Sequence, residues 1–221
     1  MENLTLVIPA KEEPNSLPLV IQELQNYSCK KIVVMKKDDI NTFAAIKNLD
    51  CEVLFQSGSG YGNAIIEGLK KAETKYVAVF YADGSTDPKY LSLMLDKLKK
   101  NKISIVFGSR YEKGAGSLDD SATTKVGNFL FTAFGNLFFS LNLTDILFTY
   151  FVSEKKILDD MHLTSSNYNL CVEIPIKAKR NNVKYSTIPC LERKRIADNK
   201  KVKEFKVGFE ILFYMIRKIF N

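Results

Sequence analysis

The chain has 221 residues, enough for one domain with a substantial core, and its 46% hydrophobic and 26% charged content is that of a folded protein rather than a disordered one. A net charge of +7 favours anionic partners, whether nucleic acid, an acidic membrane surface or phosphorylated small molecules, without selecting among them. The single histidine, His162, rules out a His-rich zinc site and argues against a His-based triad, while four cysteines at 29, 51, 171 and 190, with no CxxC pair, read as reduced thiols of a cytoplasmic protein.

The opening residues, MENLTLVIPAKEEP, join a short apolar run to acids and do not read as a signal peptide. A strand is expected at 4–8, then a helix over 14–27. A second strand at 31–35 precedes a helix within 40–49, and a third at 51–55 precedes a helix over 61–73 whose Ala64, Ile65, Leu69 and Ala72 fall near helical spacing. A fourth strand at 76–81, a helix at 88–101 and a fifth strand at 103–108 complete the first half. Strands that are apolar on both faces and alternate with helices imply an α/β fold around a mostly parallel sheet covered on both sides. Ligands of such sheets bind beyond the carboxyl ends of the strands. That rule gathers PAKEE (9–13), KKDD (36–39), QSGSGYGN (56–63), ADGSTDP (82–88) and GSRYEKGAG (108–116) on one rim.

Each rim segment has two readings. Asp83, at the end of a buried strand, is either a carboxylate for Mg²⁺ or Mn²⁺ on a diphosphate or part of an Asp-Gly turn. Asp87 and Pro88 read as a helix start. The glycines of 57–63 bring backbone close to a phosphate at a helix N-terminus or form a plain tight turn, and the segment matches neither a P-loop nor a dinucleotide fingerprint. Glu12 and Glu13 accept hydrogen bonds from a ribose or base, or simply begin a helix in solvent.

Taken in order, LTLVIPAKEEPNSLPLVIQEL, GYGNAIIEGLKKA, YVAVFYADGSTDP, IVFGSRY, TDILFTYFV and EIPIKAKRNNVKYSTIPCLERKR resemble family 2 inverting glycosyltransferases of GT-A fold, in particular the dolichyl-phosphate mannose synthases and bacterial polyprenyl-phosphate sugar transferases. The resemblance covers residues 4–195. It implies that Pro9, Ala10 and Glu13 line the nucleotide pocket, that Gly60 and Gly62 lie beside the nucleotide, and that Asn63 starts the next helix. It implies a metal on the sugar diphosphate held by Asp83, a sugar site shaped by Arg110, an acceptor-side acid at Glu173, and phosphate contacts from Arg193 and Arg195. Three positions depart from the family pattern: Tyr81 replaces the first acid of Asp-x-Asp, Glu12 replaces an Asn, and MKKDD replaces DDGS, leaving Asp38 or Asp39 for the base.

The activity implied is transfer of a sugar from a UDP- or GDP-linked donor to a lipid phosphate or glycan, with inversion. Positive charge on the leaving group would come from Mg²⁺ or Mn²⁺ at Asp83, from Arg193 and Arg195, and in reserve from Lys200 and Lys201. A hydroxyl acceptor would need a base such as Glu173, whereas a phosphate acceptor would not. The catalytic domain is expected over 1–200, with a nucleotide-sugar half at 1–112 and an acceptor half at 113–200.

Two apolar stretches lie outside these motifs. The Phe-rich 126–143 reads as core or as a protein–protein, including homo-oligomer, interface. Residues 201–221 read as an amphipathic helix, docked or lying on the inner face of a membrane. A sugar nucleotidyltransferase and a non-catalytic nucleotide-sugar binder are the rival readings, and no nucleic-acid-binding module is present to match the charge.

Overall fold

The structure is a computed structural model that describes residues 1–197 and 204–220. Its strands are β1 (Leu4–Pro9), β2 (Lys30–Met35), β3 (Glu52–Phe55), β4 (Tyr76–Val79), β5 (Ile105–Ser109), β6 (Gly116–Ser117), β7 (Phe151–Glu154), β8 (Tyr185–Pro189) and β9 (Leu191–Glu192). Between them run α1 (Leu17–Glu23, extended by a 3₁₀ turn at Leu24–Asn26), α2 (Ile40–Ile46), α3 (Tyr61–Lys71), α4 (Lys89–Asn101), α5 (Ala122–Phe139), α6 (Lys155–Asp160) and α7 (Leu170–Arg180), with α8 (Glu204–Ile219) last.

Among the described residues, seven strands form one sheet in the order β3-β2-β1-β4-β7-β5-β8, and β6 pairs with β9 beside it. Every pairing in the large sheet is parallel except those of β7, which runs antiparallel between β4 and β5 with Phe151 opposite both Val79 and Phe107. Both faces are covered, which explains strands without polar alternation. Leu6, Ile8 and Phe80 pack towards α1 and α4, whereas Val7, Val77 and Val79 pack towards α3 and α7. Gly68 lets α3 press onto the sheet, because a Cβ there would collide with Val7 and close on Val34 Cγ2 at 2.9 Å.

The segment 145–152 turns before it becomes β7, so its strand begins only at Phe151. Helix α4 starts as the sequence suggests: Pro88 occupies the cap position, and Asp87 Oδ1 accepts from Lys89 N at 3.0 Å.

The Phe-rich stretch is α5, and its polar residues point inward. Asn128, at 1% exposure, accepts from Leu147 N; Thr132 accepts from Ile146 N; and Asn136 bonds both N and O of Leu143. These side chains satisfy the backbone of the 143–147 turn, whose amides have no sheet partner. The cost is borne by the outer face, where Phe129 is 71% and Leu137 75% exposed. Helix α8 packs alongside, with Gly208 against Phe131 and Met215 above Gly135, and shows solvent Phe209 at 72% and Phe213 at 64%. No helix among the described residues is long and apolar enough to cross a membrane. Lys200 and Lys201 lie outside the described residues.

Candidate active site

The chain leaves β1 towards β2 and β3 on one side and returns to β4 on the other, so β1 and β4 flank the crossover where ligands of open α/β sheets bind. A pocket of about 510 Å³ opens there. Pro9, Ala10, Lys11 and Glu13 come from the end of β1, Lys36 and Gln56 from the ends of β2 and β3, Gly60 and Tyr61 from the head of α3, and Tyr81, Ala82, Asp83 and Ser85 from the end of β4. Leu147, Thr149, Tyr168 and Cys171 form a less polar wall, and Glu192 and Arg195 close the remaining side.

Asp83 is fixed by its own turn. Its Oδ1 accepts from Ser85 N at 3.0 Å and from Ser85 Oγ at 2.7 Å, and Gly84 takes a φ of +81° to complete the bend. The 193–196 segment is laced onto this turn through Arg193 N to Ser85 O and Ile196 N to Asp83 O. Tyr81, standing where the resemblance expects an acid, is a structural post instead. Its hydroxyl accepts from Thr149 N at 2.9 Å, its ring meets Phe148 edge-on, and burial pushes its phenol far above the usual value.

At the β1 end, Glu13 N donates to Thr42 Oγ1 and its carboxylate accepts from Ser16 Oγ. Glu12 is exposed with a φ of +54°, a left-handed turn held by its N–H on Asp39 Oδ2. Asp39 also caps α2, which occupies the acid considered for base contact, while Asp38 is exposed and off the pocket lining; Lys36 lines the pocket in that region. Gly60 has a φ of +103°, and a Cβ there would collide with Ser166 O. Gly62 and Asn63 share the first turn of α3 with the lining residues Tyr61 and Ala64 but do not line the pocket themselves. Asn63 N donates to Ser166 O, its Oδ1 accepts from Gln56 Nε2, and the 165–167 backbone presses on Gly62.

The arginines divide by role. Arg110 is 8% exposed and ringed by three carboxylates: Asp145 on Nε and Nη2, with Asp120 and Glu192 each 3.3 Å from Nη1. It therefore reaches the pocket only through Glu192. Arg193 is outside the lining as well, spent on a bidentate pair with Glu23 and on the carbonyls of Gly84 and Thr86, so it clamps the β4 turn. Arg195 alone of the three lines the pocket, where Asp119 pairs with its Nε and Nη2.

Glu173 is fully buried in the first turn of α7 and is not brought to the pocket. It accepts from Thr164 N, Thr164 Oγ1 and Ser165 N and pairs with Lys177 at 2.7 Å. Burial alone would raise its carboxyl, but the bonds from Lys177 and from the Ser165 and Thr164 amides outweigh it and hold the group below its ordinary value. Its observed work is to shape the 164–168 loop, which carries Tyr168 into the lining stacked on Tyr61 at 4.8 Å.

Glu192, Lys36 and Asp119 were not singled out by sequence. Glu192 is the lone acid of the run ERKR, and Asp119 lies in a Gly/Ser/Asp-rich loop whose acids look solvated; only the pairing of β6 with β9 brings both beside Arg195.

Among the described residues no three His, Cys, Asp or Glu side chains gather as a metal cage. Three carboxylates line the pocket: Glu13 accepts from Ser16 Oγ, Glu192 is engaged by Ser117 Oγ and Arg110, and Asp83 stands at the end of β4, where Tyr81 beside it keeps its proton. This donor set suits a hard cation that takes its remaining oxygens from phosphates and water, and does not suit one held by protein alone.

The fold is of the GT-A type, with the pocket at its crossover. The model of the family described as "Glycosyl transferase family 2" matches residues 5–161, and the chain belongs to that family and is a glycosyltransferase. This sets aside the nucleotidyltransferase and the non-catalytic binder. The chain is 25% identical to the UDP-N-acetylglucosamine–dolichyl-phosphate N-acetylglucosaminyltransferase of Methanococcus voltae, over 96% of this chain and 94% of that protein. It is 22% identical to glycosyltransferase AglJ of Haloferax volcanii, over 83% of this chain and 61% of that one. Its fold is similar to that of glucosyl-3-phosphoglycerate synthase from Mycobacterium tuberculosis, solved with Mn²⁺, UDP-glucose and phosphoglyceric acid, with a TM-score of 0.75 and 13% identity over 98% of this chain and 79% of that one.

Proposed function

We propose that the enzyme moves a sugar, with inversion, from a nucleoside-diphosphate sugar to a lipid phosphate lying in the cytoplasmic face of a membrane. The observation that carries this reading is the inverted helix α5. With α8 it presents a Phe-rich face to solvent, and Glu210 of α8 accepts from Asn167 Nδ2 in the loop that carries Tyr168 into the pocket wall. Lys206, Arg217 and Lys218 on α8 supply the basic charge that accompanies apolar residues at anionic membranes. The relative in Methanococcus voltae uses a dolichyl-phosphate acceptor by its name, which agrees with this choice.

The pocket divides the labour. Pro9, Ala10 and Glu13 receive the nucleoside, with Lys36 and Gln56 at its outer end and Gly60 close to the nucleotide backbone. A divalent cation, Mg²⁺ or Mn²⁺ as in the neighbour solved with Mn²⁺ and UDP-glucose, would be held by Asp83 and the donor's own phosphates. Bound there, it would supply positive charge to the departing diphosphate. Arg195 adds a second positive charge at the same end of the pocket. Arg110 and Arg193 act through others, the first by orienting Glu192 and the second by bracing the Asp83 turn. A lipid phosphate is already ionised and needs no base, which agrees with Glu173 being engaged in holding a loop.

Anionic liposomes are expected to pellet the intact chain but not one truncated at residue 202, nor one carrying Phe129→Ser with Leu137→Ser. Equal pelleting of all three would remove the membrane from this account. A dimer that dissociates in the α5 double variant would show instead that a second copy of the chain covers α5.

A further inference from the structure

Asp119 is held too firmly for a surface acid. Ser117 Oγ accepts from the amides of both Asp119 and Asp120, at 3.2 and 3.0 Å, and donates its own proton to Glu192 Oε2. Asp120 is locked by the Tyr111 hydroxyl and by Arg110 Nη1. The next residue, Ser121, caps α5 by accepting from Thr124 N. Five residues thus tie together the buried arginine cluster, the first turn of the apolar helix and, through Asp119, the guanidinium that reaches the pocket.

The Asp119–Arg195 contact is bidentate and mostly buried, with side-chain exposures of 12% and 19%. A planar guanidinium gripped along one edge by a carboxylate is fixed in orientation, and the opposite arm, Nη1, is then aimed rather than free to rotate. Long arginine side chains otherwise lose about 2 kcal/mol of rotamer entropy on being immobilised. Here that loss is incurred when the protein folds, before any ligand arrives.

We infer that Asp119 is a positioning residue for the transfer reaction: it aims Arg195 at the diphosphate of the donor, and the 117–121 turn couples that aim to the start of α5. This deepens the donor reading given above and rests on it. Groups that orient metal ligands cost roughly 10- to 100-fold in affinity or activity when removed, and a loss of that order is expected for a carboxylate that orients a phosphate-facing guanidinium. A purely structural role would lower stability and the active fraction while leaving the donor affinity of the folded molecules unchanged.

The test uses the full chain and titrates UDP, GDP and inorganic pyrophosphate by calorimetry with Mn²⁺ present, alongside thermal unfolding. For Asp119→Asn, the dissociation constant of the nucleotide that binds the wild type is expected to rise about tenfold or more, with pyrophosphate weakened in parallel. Asp119→Glu should recover most of the loss, and Arg195→Ala combined with Asp119→Asn should be no weaker than Arg195→Ala alone, since the two act in series. Nucleotide affinity equal to wild type in Asp119→Asn would overturn the assignment while leaving the donor reading intact. A wild type that binds none of the three probes would defeat the donor reading itself, and this inference with it.

Discussion

Replacing Tyr81 by Phe isolates one hydroxyl at the position where an acid of the Asp-x-Asp pair is expected. That hydroxyl accepts from Thr149 N at 2.9 Å, and Thr149 is only 4% exposed, so its N–H would be left without an acceptor in the interior. Leaving a buried donor unsatisfied costs about 1–3 kcal/mol. The ring itself stays against Phe148, at 5.7 Å between centroids, so the aromatic contact is retained. For a chain of this length each kcal/mol moves Tm by about 2–4 °C, which places the drop at roughly 2–12 °C. Because burial keeps the phenol protonated, it is no cation ligand, and the Mn²⁺ concentration giving half-maximal transfer should stay within about twofold of wild type, a change below 0.5 kcal/mol. Thermal unfolding and a metal titration of activity read both quantities on one preparation. An unchanged Tm together with a metal requirement raised about tenfold would refute the reasoning and make Tyr81 a ligand. Tyr81→Asp should not tighten metal binding, since losing the ring costs about 3–5 kcal/mol and places a carboxylate beneath Phe148.

Glu173→Gln should lower stability by about 1.5–3 kcal/mol at neutral pH through weakened bonds to the 164–165 amides and Lys177. The folded carboxyl is held below its unfolded value, so its contribution is complete above about pH 5 and is lost as the pH falls through about 4 and lower. Wild-type urea midpoints should therefore drop across that window more steeply than those of the Gln variant, and parallel curves would contradict the assignment. Gly62→Ala, whose Cβ would meet Ser165 O and come within 2.6 Å of Asn167 O, should cost about 1–3 kcal/mol and raise the donor KM by displacing the α3 head; wild-type stability would show that the 165–167 loop yields freely.

The strands that flank the site were legible because burial on both faces makes them continuous apolar runs, and the crossover rule then placed Pro9, Glu13, Gly60 and Asp83 on one rim. Direction was less legible. Phe151–Glu154 is buried through its first three residues like its neighbours, and nothing in its composition distinguishes an antiparallel strand from a parallel one. The Phe-rich stretch read only as core or interface, and neither its helix nor its facing was foreseen, since α5 turns Asn128, Thr132 and Asn136 inward to serve the 143–147 turn. Charged residues were hardest of all. Arg193, Arg195 and Glu173 look alike as candidates in the sequence, yet their roles follow from partners 4 to 170 positions away, including Lys177 for Glu173 and Glu23 for Arg193.

Transfer itself is the most direct measurement. Purified protein is incubated with radiolabelled UDP-, GDP- and CDP-sugars, Mn²⁺ and vesicles containing a polyprenyl phosphate, and the label is partitioned into organic solvent. Organic-phase label is expected with at least one donor, lost by a hundredfold or more in Asp83→Ala, on the order of a missing transition-state charge contact. Full activity in Asp83→Ala, or label that every donor passes only to water-soluble acceptors, would contradict it.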